Sequence, residues 1–177
     1  TAMFLAGGLL AKNVSHTIAA VARSIAGARS LVAIECGATG PTKDCGYENP
    51  IVKSIASVPI CAEGKNATCA HADLMGNLTA GVCDVWSNEC VYNREEMGGP
   101  TPGVWLQSLG YECALMNTAK QIGTAKALRD SYVLADKYRD PQGVILAYDN
   151  AYRIGQAIVA DGEDNYLRAR AAALKAI

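Results

Sequence analysis

The 177 residues suit one domain or a piece of one, and with half of them hydrophobic and 19% charged the chain can bury a core, which excludes a disordered tail. The formal charge is -1, from 16 basic and 17 acidic side chains, so nothing is left to neutralise a phosphate backbone and nucleic acid is not an expected partner. No uninterrupted apolar stretch reaches the ~20 residues of a membrane span, and no membrane partner is expected.

Residues 1–11 are largely apolar but lack a basic stretch before them and a cleavage site after them, which argues against a secretory leader. Position 1 is Thr, so the chain is expected to begin inside a larger protein. Residues 2–28, rich in Ala and Leu, read as a helix, interrupted near Asn13 and ending near Gly27. Residues 30–35 (SLVAIE) are a short apolar run that reads as a buried strand. A loop with Gly37, Gly40, Pro41 and Gly46 follows, and Pro50 then opens a short helix over 50–57. Residues 58–62 (VPICA) read as a second buried strand, 63–76 as a polar loop, and Asn77 as the cap of a helix toward Trp86. Helix, strand, helix, strand in order predicts parallel α/β architecture.

Residues 102–177 are expected to be mostly helical. Leu106, Leu109, Cys113 and Met116 share one helix face. Leu128, Tyr132 and Ala135 mark a second helix, and Asp140-Pro141 breaks the chain. Val144, Tyr148, Ala151 and Ile158 mark a third helix, and residues 164–177 a fourth. Two strands cannot cover the edges of their own sheet, so the chain is expected to be part of a larger α/β unit.

Seven cysteines, at 36, 45, 61, 69, 83, 90 and 113, are an odd number with no C-x-x-C pair, which fits reduced thiols in an intracellular protein better than a disulfide scaffold. The sequons at Asn13, Asn66 and Asn77 carry no weight without a secretory signal. Cys36, Cys61, Cys83 and Cys113 sit in or beside apolar segments and are expected to pack as small core residues. In a parallel barrel, chemistry lies in the loops after the strands. Those loops hold Cys45 in PTKDCGYENP, and Cys69 and His71 in EGKNATCAHADLMGN. From spacing alone, Cys45 is a metal ligand or a buried thiol. Cys69 and His71 are a weak C-x-H pair or simply a loop thiol and a hydrogen-bonded imidazole. Glu63 directly follows the second expected strand and is either a functional carboxylate or a loop cap. Arg139-Asp140 reads as a solvated charge pair at a helix end, and Tyr148 and Tyr152, four apart, as partly buried packing residues. No Walker loop, dinucleotide fingerprint or G-x-S-x-G is present.

Longer blocks say more. SLVAIECGATGPTKDCGYENPIVKSI, EGKNATCAHADLMGN, CDVWSNE, YECALMNTA and YRDPQGVILAYDNAYRIGQAIV together resemble methanol–corrinoid methyltransferases of methanogens and some acetogens, over nearly the whole chain. The resemblance implies a TIM (β/α)8-type barrel, of which residues 1–177 would be the C-terminal portion of a single domain. It implies a catalytic Zn2+ held by one Glu and two Cys, of which Cys45 matches one; the other two ligands match no position in this chain. A zinc with three protein ligands keeps an open position and can polarise the C–O bond of methanol. The implied reaction moves the methyl group of methanol to the Co(I) of a corrinoid carried on a partner protein, in methanol-driven methanogenesis or acetogenesis. Glu63, Asp44 and His71 are candidate proton donors by loop position only. A cytoplasmic location and an oligomer with itself and the corrinoid protein are also implied. Two other readings stay open: a related corrinoid enzyme using another methyl donor, and an inactive piece that only packs against other chains.

Overall fold

The structure is a computed structural model that describes residues 13–38, 48–57 and 102–177. Among these residues every regular element is a helix: α1 His16–Glu35, α2 Asn49–Ala56, α3 Pro102–Gln121, α4 Ala125–Asp136, α5 Pro141–Leu146, α6 Tyr148–Ala160 and α7 Asn165–Ala176. The expected α/β barrel portion is therefore corrected: the described residues form a helical bundle with no strand. The run SLVAIE is the last third of α1 rather than a strand. A short apolar run has the same appearance in a buried helix as in a buried strand, and here nothing breaks the helix ahead of it. Residues 58–62, the second expected strand, and the helix expected from Asn77 lie outside the described residues.

Helix α1 starts where Ser15 Oγ accepts the Ile18 amide, 3.2 Å away. It does not stop at Gly27. That glycine is buried, and a Cβ built on it would lie 2.8 Å from Ile51 Cγ2, so its role is close helix approach. The stop comes at Gly37, whose φ of +94° and N–H bond to the Ile34 carbonyl turn the chain out of the helix. The buried face of α1 is built from small side chains, Ala19, Ala20, Ser24, Ala26, Gly27 and Ala28, with Leu31 at its end. This lets α1 sit at the centre, against α7, α5, α2 and α6.

Helix α2 matches the expected short helix, with Pro50 in its first turn. It is wedged between α1 and α6, and Gly155 of α6 repeats the device of Gly27: a Cβ there would come within 2.5 Å of Ser54 Oγ and 3.0 Å of Ile55 Cγ1. The core joins Ala20, Ala28 and Leu31 of α1, Ile51 of α2, Ile145 and Leu146 of α5, Ala151, Ile154 and Ile158 of α6 and Ala172 of α7. Ile51, Ile154 and Ile158 are fully enclosed. Full burial of such a side chain contributes roughly 1.5–3 kcal/mol.

The helices expected after residue 102 are present, with one difference. The third is two helices, α5 and α6, separated at Ala147, whose backbone is extended (φ -60°, ψ 139°). Asn150 Nδ2 donates to the Val144 carbonyl at 2.8 Å, which satisfies an acceptor that the break leaves open. Helix α3 packs chiefly on α4, which leans on α6 through Lys137–Asp149 and Arg129 over the Tyr148 ring. By length and composition α1 could cross a membrane, as core helices often can. Its packing on four other helices and its buried Arg23 identify it as a core helix of this bundle.

Candidate functional site

The residues singled out for chemistry, Cys45, Asp44, Glu63 and His71, lie outside the described residues, as do Cys61, Cys69, Cys83 and Cys90. The described helices do define where the segment carrying Cys45 leaves and rejoins the bundle. It leaves at Ala38, just past the Gly37 turn at the end of α1. It rejoins at Glu48, whose carbonyl accepts from Ile51 N (2.9 Å) and Val52 N (3.0 Å) and so starts α2. The Glu48 side chain makes no cap bond to its own helix. It turns to α1 instead, where Ser30 Oγ donates to Glu48 Oε1 at 3.2 Å and Arg29 Nη2 lies 3.9 Å from the same oxygen. Asn49, next in the chain, is 1% exposed.

The end of α1 is fixed from the other side. Arg168 of α7 donates from Nη1 to Glu35 Oε2 at 2.6 Å and from Nε to the Gly162 carbonyl at 2.5 Å. The neighbouring Glu35 carboxylate holds the Arg168 guanidinium even more firmly in its charged form than usual.

A buried polar seam joins the start of α1 to α5. His16 Nδ1 donates to Asp140 Oδ2, and Arg23 Nε donates to Gln142 Oε1. Asp140 Oδ1 also accepts from Gln142 N at 2.7 Å, so the carboxylate caps α5 while holding His16. Asp140, Arg23 and Gln142 are all buried. Burial of such groups is tolerated because each has a partner. The seam corrects the reading of Asp140 as part of a solvated pair: Arg139 is exposed, but Asp140 is enclosed. Beside it an open cleft of about 370 Å³ is lined by Thr17, Tyr138, Arg139, Asp140 and Val144 among others.

Cys36 is exposed at the end of α1 rather than packed in the core as expected, and Cys113 on α3 is partly buried. Tyr148 packs against the core, and burial pushes its phenol up to about 12, with the nearby Arg129 charge pulling the other way. Tyr152 is 53% exposed, so only one of the two tyrosines is a packing residue. Lys137 donates to Asp149, which raises the lysine and lowers the carboxylate. Among the described residues no group of three or more His, Cys, Asp or Glu side chains could hold a metal ion. His16, Arg23 and Gln142 were not singled out by sequence. Asp-Pro followed by an apolar helix is a capping signal that points to Asp140, but nothing local pairs it with a residue 124 positions away.

Comparisons with known proteins place these helices in a family. The family profile described as Methanol-cobalamin methyltransferase B subunit (MtaB) matches residues 1–177. A Methanol--corrinoid protein co-methyltransferase of Methanosarcina barkeri (strain Fusaro / DSM 804) is 59% identical over 175 residues, which are 99% of this chain and 38% of that relative. The crystal structure of the methanol:cobalamin methyltransferase complex MtaBC from Methanosarcina barkeri contains a chain that is 58% identical, with a TM-score of 0.79; the match covers 98% of this chain and 38% of that one. This chain thus spans under two-fifths of the length of the relatives that it matches. With a family match over its whole length, the chain belongs to the methanol-cobalamin methyltransferase B subunit family.

Proposed function

We propose that this chain is part of an enzyme that transfers the methyl group of methanol to the Co(I) centre of a corrinoid carried on a partner protein. The observation that carries the reading is the 59% identity, spread over 99% of the chain, to a protein named for that reaction. Methanol is a poor methyl donor because hydroxide is a poor leaving group, so the reaction needs an electrophile on oxygen and an approach for cobalt at carbon. Zinc is the electrophile in this reading: when bound, it supplies a Lewis acid for the C–O bond. Cys45 is the one ligand assigned here, as a thiolate, the metal-binding form of cysteine and one that suits a reducing cytoplasm. No step is assigned through the metal to the described residues, which hold no donor set of their own.

What the described residues contribute is a frame. Helices α1 and α2 hold both ends of segment 39–47, and the polar seam and Arg168 hold α1. Asp44, Glu63 and His71 are alternative candidates for the proton donor, by loop position only, and residues 1–177 are read as one portion of a single methyltransferase domain. The corrinoid protein is the proposed partner, with self-association beside it.

The test has two parts. Zinc is measured per chain in the full protein, with and without Cys45→Ala. Cobalt methylation is then followed with methanol, methylamine, methanethiol and a methoxylated aromatic as donors. The reading expects about one zinc, lost with Cys45→Ala, and methylation from methanol above the other three. Zinc binding that is indifferent to Cys45, or a preference for another donor, contradicts it.

A further inference from the structure

Helices α6 and α7 are joined by the turn 161–164 and pack on each other, so the end of α7 returns beside the start of α6. Between them and α5 lies a cavity of about 250 Å³. Val144 and Ile145 of α5 and Ile154 of α6 give it an apolar wall. Its polar side chains are Asn150 and Arg153 of α6 and Lys175 of α7, and no Asp or Glu is among its described lining residues.

The cations nearest in the fold are paired: Arg168 of α7 with Glu35, and Lys137 with Asp149 of α6. Arg153 and Lys175 are exposed, and among the described residues neither side chain has an ion-pair or hydrogen-bond partner. The sequence gives the reason. On a helix the partners of a charged side chain stand three or four residues away. Behind Lys175 those positions are Ala171 and Ala172. Around Arg153 they are Asp149, Asn150, Gln156 and Ala157, and Asp149 is already held by Lys137 at 2.9 Å. Two positive charges from different helices therefore face one cavity without a carboxylate committed to either.

Asn150 adds a neutral donor. Its Nδ2 gives one hydrogen to the Val144 carbonyl at 2.8 Å, which fixes the amide, and carries a second hydrogen. The planar fork of Arg and the three hydrogens of a Lys ammonium suit the several oxygens of a phosphate group. A concave site with an apolar wall focuses the field of both charges on the space between them.

We propose that the cavity between α5, α6 and α7 binds a phosphate-class oxyanion, with Arg153 and Lys175 as its charged ligands and Asn150 as a neutral donor. Neither cation is part of the methyl-transfer reading. Two sources offer this chemistry: free phosphate, and a phosphate monoester whose apolar part lies on Val144, Ile145 and Ile154.

The test uses the full protein in a phosphate-free buffer, with inorganic phosphate and phenyl phosphate as probes. Broadening of the 31P signal of each probe is followed as protein is added, for the parent, Arg153→Gln, Lys175→Met, the double variant and Arg170→Gln. Arg170 is exposed on α7 but outside the cavity lining, and so reports any diffuse attraction of anions to this helix. Thermal midpoints are recorded alongside; both cavity cations are exposed, so each single variant is expected to keep the parental midpoint. Saturable binding is expected, weakened about tenfold in Arg153→Gln and in Lys175→Met through loss of a charge-assisted bond, lost in the double variant and parental in Arg170→Gln. Added sodium chloride is expected to weaken it. Tighter binding of phenyl phosphate than of inorganic phosphate assigns the site to a monoester, and equal binding assigns it to the free ion. Broadening that does not saturate, or that Arg170→Gln reduces as much as Arg153→Gln does, overturns the proposal.

Discussion

Gly27→Ala tests the packing of the bundle with a prediction whose sign depends on one neighbour. In an exposed helix, replacing Gly by Ala is stabilising by about 1 kcal/mol. Here the new Cβ would lie 2.8 Å from Ile51 Cγ2 and 3.3 Å from Ile51 Cβ. Ile51 is fully buried, so it has nowhere to retreat. Overpacking of this kind costs about 1–3 kcal/mol, which outweighs the propensity gain and leaves Gly27→Ala destabilising by about 1 kcal/mol on balance. Ile51→Ala alone is expected to cost about 2–5 kcal/mol through the cavity it leaves. With the Ile51 branches gone the 2.8 Å clash is gone and only the 3.3 Å contact with Cβ remains, so adding Gly27→Ala to Ile51→Ala should cost much less than in the parent and restore up to about 1 kcal/mol where the backbones can part by a few tenths of an ångström. Urea unfolding of the four proteins, with the dependence on denaturant checked for constancy, measures the cycle. Stabilisation by Gly27→Ala in the parent, or equal effects in both backgrounds, would refute the close approach of α1 and α2.

Asp140→Ala removes the α5 cap and the His16 bond from a buried site and is expected to destabilise by about 2–4 kcal/mol. Asp140→Asn, which keeps an acceptor for Gln142 N, should lose less than half as much in urea unfolding, and equal losses would contradict the capping role. The Asp149 carboxyl is lowered by Lys137, so its contribution is present above the ordinary carboxylate pKa of about 3.9 and is lost as pH falls through the lowered value. Lys137 is raised, so its contribution is present below about 10.4 and is lost only above the raised value. Lys137→Met should therefore cost up to about 1 kcal/mol at pH 7, because Asp149 is half exposed, and less at pH 2, where protonation of the lowered Asp149 carboxyl weakens the pair. An equal loss at both values contradicts the pairing. The Tyr148 phenol, raised by burial to about 12, favours the fold below pH 10 and ceases to do so as pH passes 12. Difference absorbance of the parent against Tyr148→Phe should stay flat through pH 10–11 and rise only near 12 or with alkaline unfolding.

How much of this was legible in the sequence depends on where the determining contacts lie. The last four helical stretches carry their own signals in an apolar spacing of 3 and 4, and Asp140-Pro141 marks the break between two of them. Helix α2 was legible from Pro50. The strand read into SLVAIE was an error of period, because six residues cannot separate a buried helix from a buried strand. Gly27 misled in the same way. Its local meaning is a stop, but its actual role is to admit Ile51, 24 positions on. The break at Ala147 has no glycine or proline to announce it. The seam of His16, Arg23, Asp140 and Gln142 joins residues about 120 apart, and polar pairs of that kind leave no periodicity. Cys45, by contrast, was singled out by its block of neighbours, which carries the family resemblance, rather than by its own spacing.

The central claim is that the methyl group of methanol passes to cobalt. The most direct measurement supplies 13C-methanol to the full protein with its corrinoid partner held in the Co(I) state, and follows the 13C signal of a cobalt-bound methyl group. The account predicts label on cobalt, dependent on the protein and abolished by Cys45→Ala. Label that stays in methanol while the reduced corrinoid remains intact and competent toward a chemical methylating agent would contradict it.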